Sequence, residues 1–194
     1  MRILAALLFI LAGCATTPQV KDSWKDPAFS GPALKKVMVF GVSKSDSNRR
    51  VFEDGFSKAL QAAGTGASPG YAVMPEIGAA SNERVAAAIR QVGSDGILVV
   101  HVLRVKQNVQ VTPSYAGPGF YGRGYYGYYR GGFATAPDVD VYEVLTIEGT
   151  LWNVATDKPV WSGTMELTEP RSVAAATETL AKGLITKMKA DGVI

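Results

Sequence analysis

Ser94-Asp95-Gly96-Ile97-Leu98-Val99-Val100-His101-Val102, with the run that continues to Val111, decides how the rest of the chain must be arranged. Ser94-Asp95-Gly96 is a turn, and the six residues after it carry one polar side chain. An unbroken apolar run of strand length is the pattern of a strand covered on both faces. Beyond Val102 the pattern changes to alternation. Leu103, Val105, Val109 and Val111 share one face with Gln107, while Arg104, Lys106, Asn108 and Gln110 take the other. A strand covered on both sides thus emerges from its cover with one side wet.

Upstream, Val37-Met38-Val39-Phe40-Gly41-Val42 is a second run of the covered kind. After a polar loop ending in capping residues (43–48), Phe52, Phe56, Ala59, Leu60 and Ala63 line one side of a helix that Gly64 stops. The small-residue turn 65–70 leads to a short strand over 71–74, closed by Pro75. Ser81 and Asn82 offer a cap for a second helix, with Glu83 in its first turn, Val85, Ala88, Ile89 and Val92 on its buried face, and Gly93 at its end. Downstream, strand pattern resumes at Val139 and runs to about Val154, with Leu145, Ile147 and Leu151 on one face. Glu143 breaks that face and predicts a bulge near it. Ala155-Thr156-Asp157-Lys158 connects tightly to a hairpin partner carrying Val160, Trp161 and Met165. Ser172 caps a last helix with Val173, Thr177, Leu180, Leu184 and Met188 on one stripe and Gly192 past its end.

The order is therefore β-α-β-α-β, a long loop, then β-β-α. Alternating strands and helices favour parallel pairing in the first half, and the second half reads as an antiparallel meander. The expected fold is α/β (α+β): one mixed sheet of about five strands, with helices mainly on one face.

The first 36 residues are organised differently. Arg2 precedes ten apolar residues, 3–12, too few to span a bilayer but the usual length of a signal-peptide apolar region. They run into Leu11-Ala12-Gly13-Cys14, which holds the only cysteine of the chain. This tetrapeptide resembles the lipobox of bacterial lipoproteins. The resemblance implies cleavage before Cys14, a lipid on its thiol and effectively permanent membrane attachment through three acyl chains. Ala15 follows, where aspartate would resemble the signal for inner-membrane retention, so the expected place is the outer membrane, facing the periplasm. Residues 1–13 are then a signal peptide, 14–36 a lipidated tether and 37–194 a single domain. The tether, with Pro18, Pro27, Pro32 and Gly31, has no periodicity; Ser23-Trp24-Lys25-Asp26-Pro27 is expected to dock on the domain edge because Trp24 is too apolar for a solvated linker.

Composition narrows the partners. Of 194 residues, 181 remain after cleavage, enough for one domain with a real core. Loss of Arg2 lowers the net charge from +3 to +2, too little to advertise a polyanion. With Cys14 acylated no disulfide can form, so packing alone must hold the fold. No cofactor is indicated.

Residues 113–137 are the one biased segment: six tyrosines, seven glycines, two phenylalanines, two arginines and no acid. Gly117-Pro118-Gly119-Phe120-Tyr121-Gly122 matches G-x-G-x-x-G by letter, but no helix follows to receive a pyrophosphate, so dinucleotide binding is rejected. Arg123-Gly124 and Arg130-Gly131-Gly132 among tyrosines look like RNA-binding segments, yet two arginines give a small electrostatic term and the address is extracytoplasmic. Nucleic acid is rejected too. Tyrosine combines apolar area, a hydroxyl and few rotamers, which suits an adaptable contact surface. Tyr115, Phe120, Tyr121, Arg123, Tyr125, Tyr126, Tyr128, Tyr129 and Arg130 are accordingly the expected contacts to an envelope protein or a glycan, with Phe133 closing the cluster. The bland alternative is that the rings pack onto their own sheet.

No residue set nominates an enzyme. His101 is the only histidine, in the most apolar strand, and is expected to be a satisfied core residue; without companions at ligand spacing it makes no metal site. Asp138 and Asp140 project the same way from a strand start, and with Glu143 they are the acids a periplasmic hydrolase would need near the loop. No serine has a nucleophile-elbow context.

Ser23-Trp24-Lys25-Asp26-Pro27, Lys36-Val37-Met38-Val39-Phe40-Gly41-Val42, Arg49-Arg50-Val51-Phe52-Glu53, Asp95-Gly96-Ile97-Leu98-Val99 and Asp157-Lys158-Pro159-Val160-Trp161-Ser162-Gly163 together resemble a family of bacterial envelope lipoproteins without assigned activity. The resemblance spans nearly the whole mature chain and implies a non-enzymatic role in binding or envelope assembly. Its strand–helix order is more distantly similar to the lipoprotein activators of penicillin-binding proteins, the curli secretion lipoprotein and the TolB amino-terminal domain, a likeness of fold. Oligomeric state is not legible.

Overall fold

The computed structural model describes residues 19–75, 82–112 and 138–194. Strands β1 (Asp22–Lys25), β2 (Lys36–Gly41), β3 (Gly66–Pro69), β4 (Gly96–Thr112), β5 (Asp138–Asn153) and β6 (Lys158–Thr168) form one mixed sheet in the order β1-β6-β5-β4-β2-β3. Helices α1 (Asp46–Ala62), α2 (Asn82–Val92) and α3 (Val173–Ala190) complete the described residues, with a short 3-10 turn at Gly70–Ala72. β3, β2 and β4 are parallel, and β4, β5, β6 and β1 are antiparallel, as the order of elements predicts.

The chain steps outward from β2 to β3 and then back across β2 to β4. Crossovers between parallel strands keep one hand, so two steps in opposite directions deliver their helices to opposite faces. Phe56 and Leu60 of α1 accordingly pack with Val37 and Val39, while Ala88 of α2 packs with Met38 and Phe40. Helix α3 joins α1, bringing Leu180, Leu184 and Met188 onto Leu98, Leu151 and Met165. Two helices on one face and one on the other leave β2 buried from both sides. Ser45 and Ser172 cap α1 and α3 by accepting from the N–H groups of Asn48 and Ala175, and Gly64 (φ +89°) and Gly192 (φ +67°) follow the helix ends in the left-handed region, as expected.

Two polar anchors sit inside this packing. The Glu53 carboxylate, fully buried, accepts from the Gly41 N–H at 3.1 Å and the Tyr71 N–H at 2.7 Å, and lies 4.0 Å from the Arg49 Nε. It ties α1 to the end of β2 and to the 3-10 turn. Trp161, also fully buried, donates its indole N–H to Asp191 Oδ2 at 2.8 Å, while Lys187 Nζ holds the other carboxylate oxygen at 2.6 Å. The ring lies against Gly163, where a Cβ would stand 2.3 Å from the indole. That contact explains a glycine two residues beyond the tryptophan.

Several expectations change. The sheet has six strands, because Asp22–Lys25, inside the stretch expected as tether, pairs with β6 from Asp22↔Thr164 to Lys25↔Trp161. Four exposed residues on one edge leave no apolar pattern to read; Trp24 stands on this edge, 46% exposed. The third strand is Gly66–Pro69 rather than 71–74, where the 3-10 turn lies instead. A proline is tolerated there because β3 is an edge strand. The register break expected near Glu143 falls in β4, between Val102 and Arg104, and a second lies at Leu151/Trp152. Glu143 stays in the ladder opposite Gln107, whose side-chain amide donates to it at 3.3 Å. His101 is not a core residue. Its side chain is 36% exposed, 3.6 Å from the Glu148 carboxylate across the ladder, at a point where β4 has passed beyond the residues packed under α2.

Candidate functional site

Cys14 and the aromatic segment (Tyr115, Phe120, Tyr121, Arg123, Tyr125, Tyr126, Tyr128, Tyr129, Arg130 and Phe133) lie outside the described residues. What the structure gives is the frame that carries them. β4 and β5 pair without interruption by a third strand from Gly96↔Asn153 to Thr112↔Asp138, whereas β6 follows β5 only as far as Thr168↔Val144. Past that point the two strands continue as a ribbon, and the ends of the aromatic segment leave from its tip, at Thr112 and Asp138.

The ribbon is apolar where a solvated hairpin would be polar. Val102, Leu103, Val105 and Val109 are 49–62% exposed. The bulge at Val102/Arg104 causes this. Before it, even-numbered residues of β4 (Leu98, Val100) face α1 and α3; after it, odd-numbered Val105 and Val109 stand opposite Leu145 and Val141 on the continuation of that face. The core face of the sheet therefore runs out past the helices into water.

At the root of the ribbon the same face forms a cleft of about 440 Å³. It lies at the carboxyl end of β2 and beside Val100–Val102 in the middle of β4, beneath the amino ends of α1 and α3. Its walls are Phe52, Val100, Leu145, Ile147, Val173 and Leu180, with Val42 and Val102 at the rim. Ser43, Asn48, Arg49 and Ser172 supply its polar edge.

Arg49 is the unusual member. Only 4% exposed, it donates through Nη2 to the Pro75 carbonyl at 2.6 Å and pairs with Asp46 at 3.2 Å, while its Nε–H has no hydrogen-bond partner. Burial raises the Glu53 carboxyl above the ordinary glutamate range, although the Tyr71 and Gly41 N–H groups and the Arg49 charge pull the other way. Both belong to the Arg49-Arg50-Val51-Phe52-Glu53 segment, but neither is among the site residues expected from the sequence. The available signal was spacing: Arg49, Glu53, Phe56 and Leu60 fall on one helical stripe, which places two charges on a core-facing side.

The acids of the hydrolase alternative do not gather. Glu148 pairs with His101, but Glu143 is five residues away and so on the other face of β5. Asp140 lies eight residues along β5 from Glu148, about 27 Å at strand rise. Among the described residues, no three His, Cys, Asp or Glu side chains are grouped to hold a metal ion, and no helix is long and apolar enough to cross a membrane.

No protein-family model matches the chain, and no curated protein matches it. Solved structures do. The PelC dodecamer from Paraburkholderia phytofirmans is 15% identical, with 83% of this chain and 92% of that chain covered at a TM-score of 0.44. Lipoprotein GNA1162 from Neisseria meningitidis is 14% identical, with 80% and 99% covered at 0.42. A minor lipoprotein from Acinetobacter baumannii is 13% identical, with 81% and 93% covered at 0.33. The structures it resembles thus include lipoproteins. At such identity and TM-score no role passes from them to this chain.

Proposed function

We propose that this chain is a non-enzymatic envelope lipoprotein, anchored through Cys14 in the outer membrane facing the periplasm, that binds an envelope protein or glycan with its aromatic segment. One observation carries the binding half of the reading. The β4–β5 ribbon projects past the helices, presents exposed valines and delivers both ends of the Tyr/Gly segment to one tip. Exposed apolar area of this kind on a soluble face marks interaction surfaces. The anchoring half rests on the Leu11-Ala12-Gly13-Cys14 motif behind its short apolar run.

Two experiments test the halves separately. Globomycin should accumulate the uncleaved precursor, and Cys14→Ser should abolish acyl labelling; a soluble, unlabelled mature protein from the unaltered chain would refute the anchor. For the segment, residues 115–133 are replaced by a short Gly/Ser turn and partners are captured by crosslinking in intact envelopes. Stability should be unchanged or slightly higher, because a shorter connection costs less to close, while partner capture is lost. Capture that survives, or a domain that unfolds, rejects the binding segment.

A further inference from the structure

We infer that the face of the sheet opposite α1 and α3 binds an uncharged oligosaccharide, with one sugar ring on Trp152 beside α2 and another on Trp24 at the β1 edge. This site is separate from the anchor and from the aromatic segment, and it stands whether or not either of those readings holds.

Alternation along the strands places both indoles on that face. Leu151 belongs to the core under α1 and α3, so Trp152 lies on the other side, opposite Ile97 of the α2 cluster. Trp24 stands opposite Ser162, between Trp161 and Gly163 of the core side, and so shares the face with Trp152. α2 covers only part of this face: among the described residues, none from β5, β6 or β1 belongs to the cluster beneath it. Past the helix the sheet is uncovered, with Trp24 46% exposed and Trp152 half-buried.

Beside α2 the uncovered face deepens into a cavity of about 630 Å³. Val85, Ile89, Ile97 and Val99 give it an apolar lining next to Trp152, and Arg90, Asn153 and Asp157 supply its polar groups. Among the described residues, nothing pairs with the Arg90 guanidinium, the Asp157 carboxylate or the Trp152 indole N–H. Asn153 accepts the Ala155 N–H on its Oδ1 at 2.8 Å, which leaves its two amide donors free for a ligand. A sugar ring fits this set. Its C–H face is apolar and lies on an aromatic ring, while its hydroxyls both donate and accept around the rim. An anion would meet Asp157, and a cation would meet Arg90. A hydrocarbon chain would strip water from both and return no hydrogen bond.

The second indole makes the ligand a chain rather than a single sugar. Thr150 pairs with Ser162, and Ser162 with Trp24, so Trp152 is two strand spacings and two residues from Trp24, about 12 Å at ordinary sheet dimensions. That span exceeds one ring. Between the indoles lie the half-exposed Thr150 and Ser162, whose hydroxyls have no partner among the described residues. A peptide laid across the strands would bring more N–H and C=O groups to this strip than two hydroxyls can pair.

The test is calorimetric titration of the full chain, in micelles of a detergent without sugar head groups. The probes are cellotetraose, chitotetraose and maltotetraose, the monosaccharides glucose and N-acetylglucosamine, and the zwitterion alanylalanine. At least one tetraose should bind saturably and about tenfold or more tighter than its own monosaccharide, because linked contacts act together. Trp24→Ala should weaken that tetraose about tenfold with the thermal midpoint kept, and leave the monosaccharide unchanged. Trp152→Ala should weaken both by about tenfold or more. Should Trp152→Ala fail to fold, Arg90→Ala combined with Asp157→Ala, both exposed, should weaken both ligands about fivefold or more. Absence of saturable binding by every tetraose, tighter binding of the dipeptide than of any tetraose, or unchanged affinity in the folded cavity variant overturns the site. Equal affinity for tetraose and monosaccharide overturns the role given to Trp24.

Discussion

Trp161→Ala is expected to lower the unfolding free energy by about 3–5 kcal/mol, the range for removing a large aromatic from a packed core. The ring is fully buried, lies against a glycine that leaves it room, and holds the carboxylate that follows α3 through its indole N–H. Its loss therefore opens a cavity and also releases the carboxyl end of the helix from β6. In a domain of this size each kcal/mol shifts the thermal midpoint by roughly 2–4 °C, so the midpoint should drop by roughly 6–20 °C. Urea unfolding of the two proteins measures it; a loss below about 1 kcal/mol would mean the site collapses around the gap. Acid should weaken the same anchor. Burial pushes the Asp191 carboxyl up, but the hydrogen bonds from Lys187 and Trp161, with the charges of Lys187 and Lys25, hold it below the ordinary value of 3.8. A depressed carboxyl stabilises the fold above 3.8, and that contribution disappears as pH falls through its lower folded value.

Glu53→Ala should cost about 3 kcal/mol, because it empties a fully buried site and leaves the buried Arg49 with only the exposed Asp46 as counter-charge. The N–H groups of Gly41 and Tyr71 lose their acceptor as well. The pH signature has the opposite sign from that of Asp191. Burial raises the folded carboxyl above 4.5, so the folded state holds this proton to higher pH than the unfolded state does. Stability from this group is greatest when it is protonated and declines as pH rises from 4.5 through the raised folded value. Denaturant titrations from pH 4 upward should show that declining contribution in the unaltered chain and its absence in Glu53→Gln. An identical slope in both proteins would show that another group is responsible.

The sequence was most legible where burial is two-sided or periodic. β2 and the first half of β4 announced themselves as unbroken apolar runs, and the stripes of α1 and α3 by their spacing with serine caps and glycine stops. It was least legible where backbone pairing alone makes the element. β1 and β3 are four-residue edges of Asp-Ser-Trp-Lys and Gly-Ala-Ser-Pro, each paired on one side, and neither carries a hydrophobic pattern. The bulge was sensed but assigned to the wrong strand. Glu143 breaks the apolar face because its partner is Gln107, a polar cross-strand match, while the slip itself is hidden at Leu103 between two residues of ordinary strand type. The cleft was missed for a related reason. Its walls come from both halves of the chain and meet only after α3 returns to the face of α1.

The direction of β1 limits how the molecule can stand. From Asp22 the strand runs toward the β5–β6 turn, so the chain before it enters from the side toward which the ribbon points. Lys21, bound to Glu166, lies level with Thr146, the residue of β5 that Glu166 faces. From there to Asp138 the ribbon extends eight more residues, about 27 Å at strand rise. Back from Lys21 to Cys14 is a leash of seven residues, at most about 25 Å when fully drawn out. With the lipid that the proposed function places on Cys14, the leash is no longer than the ribbon beside it. Standing upright, the domain would press the ribbon tip into the lipid headgroups; only by leaning over could it hold that tip clear of the bilayer.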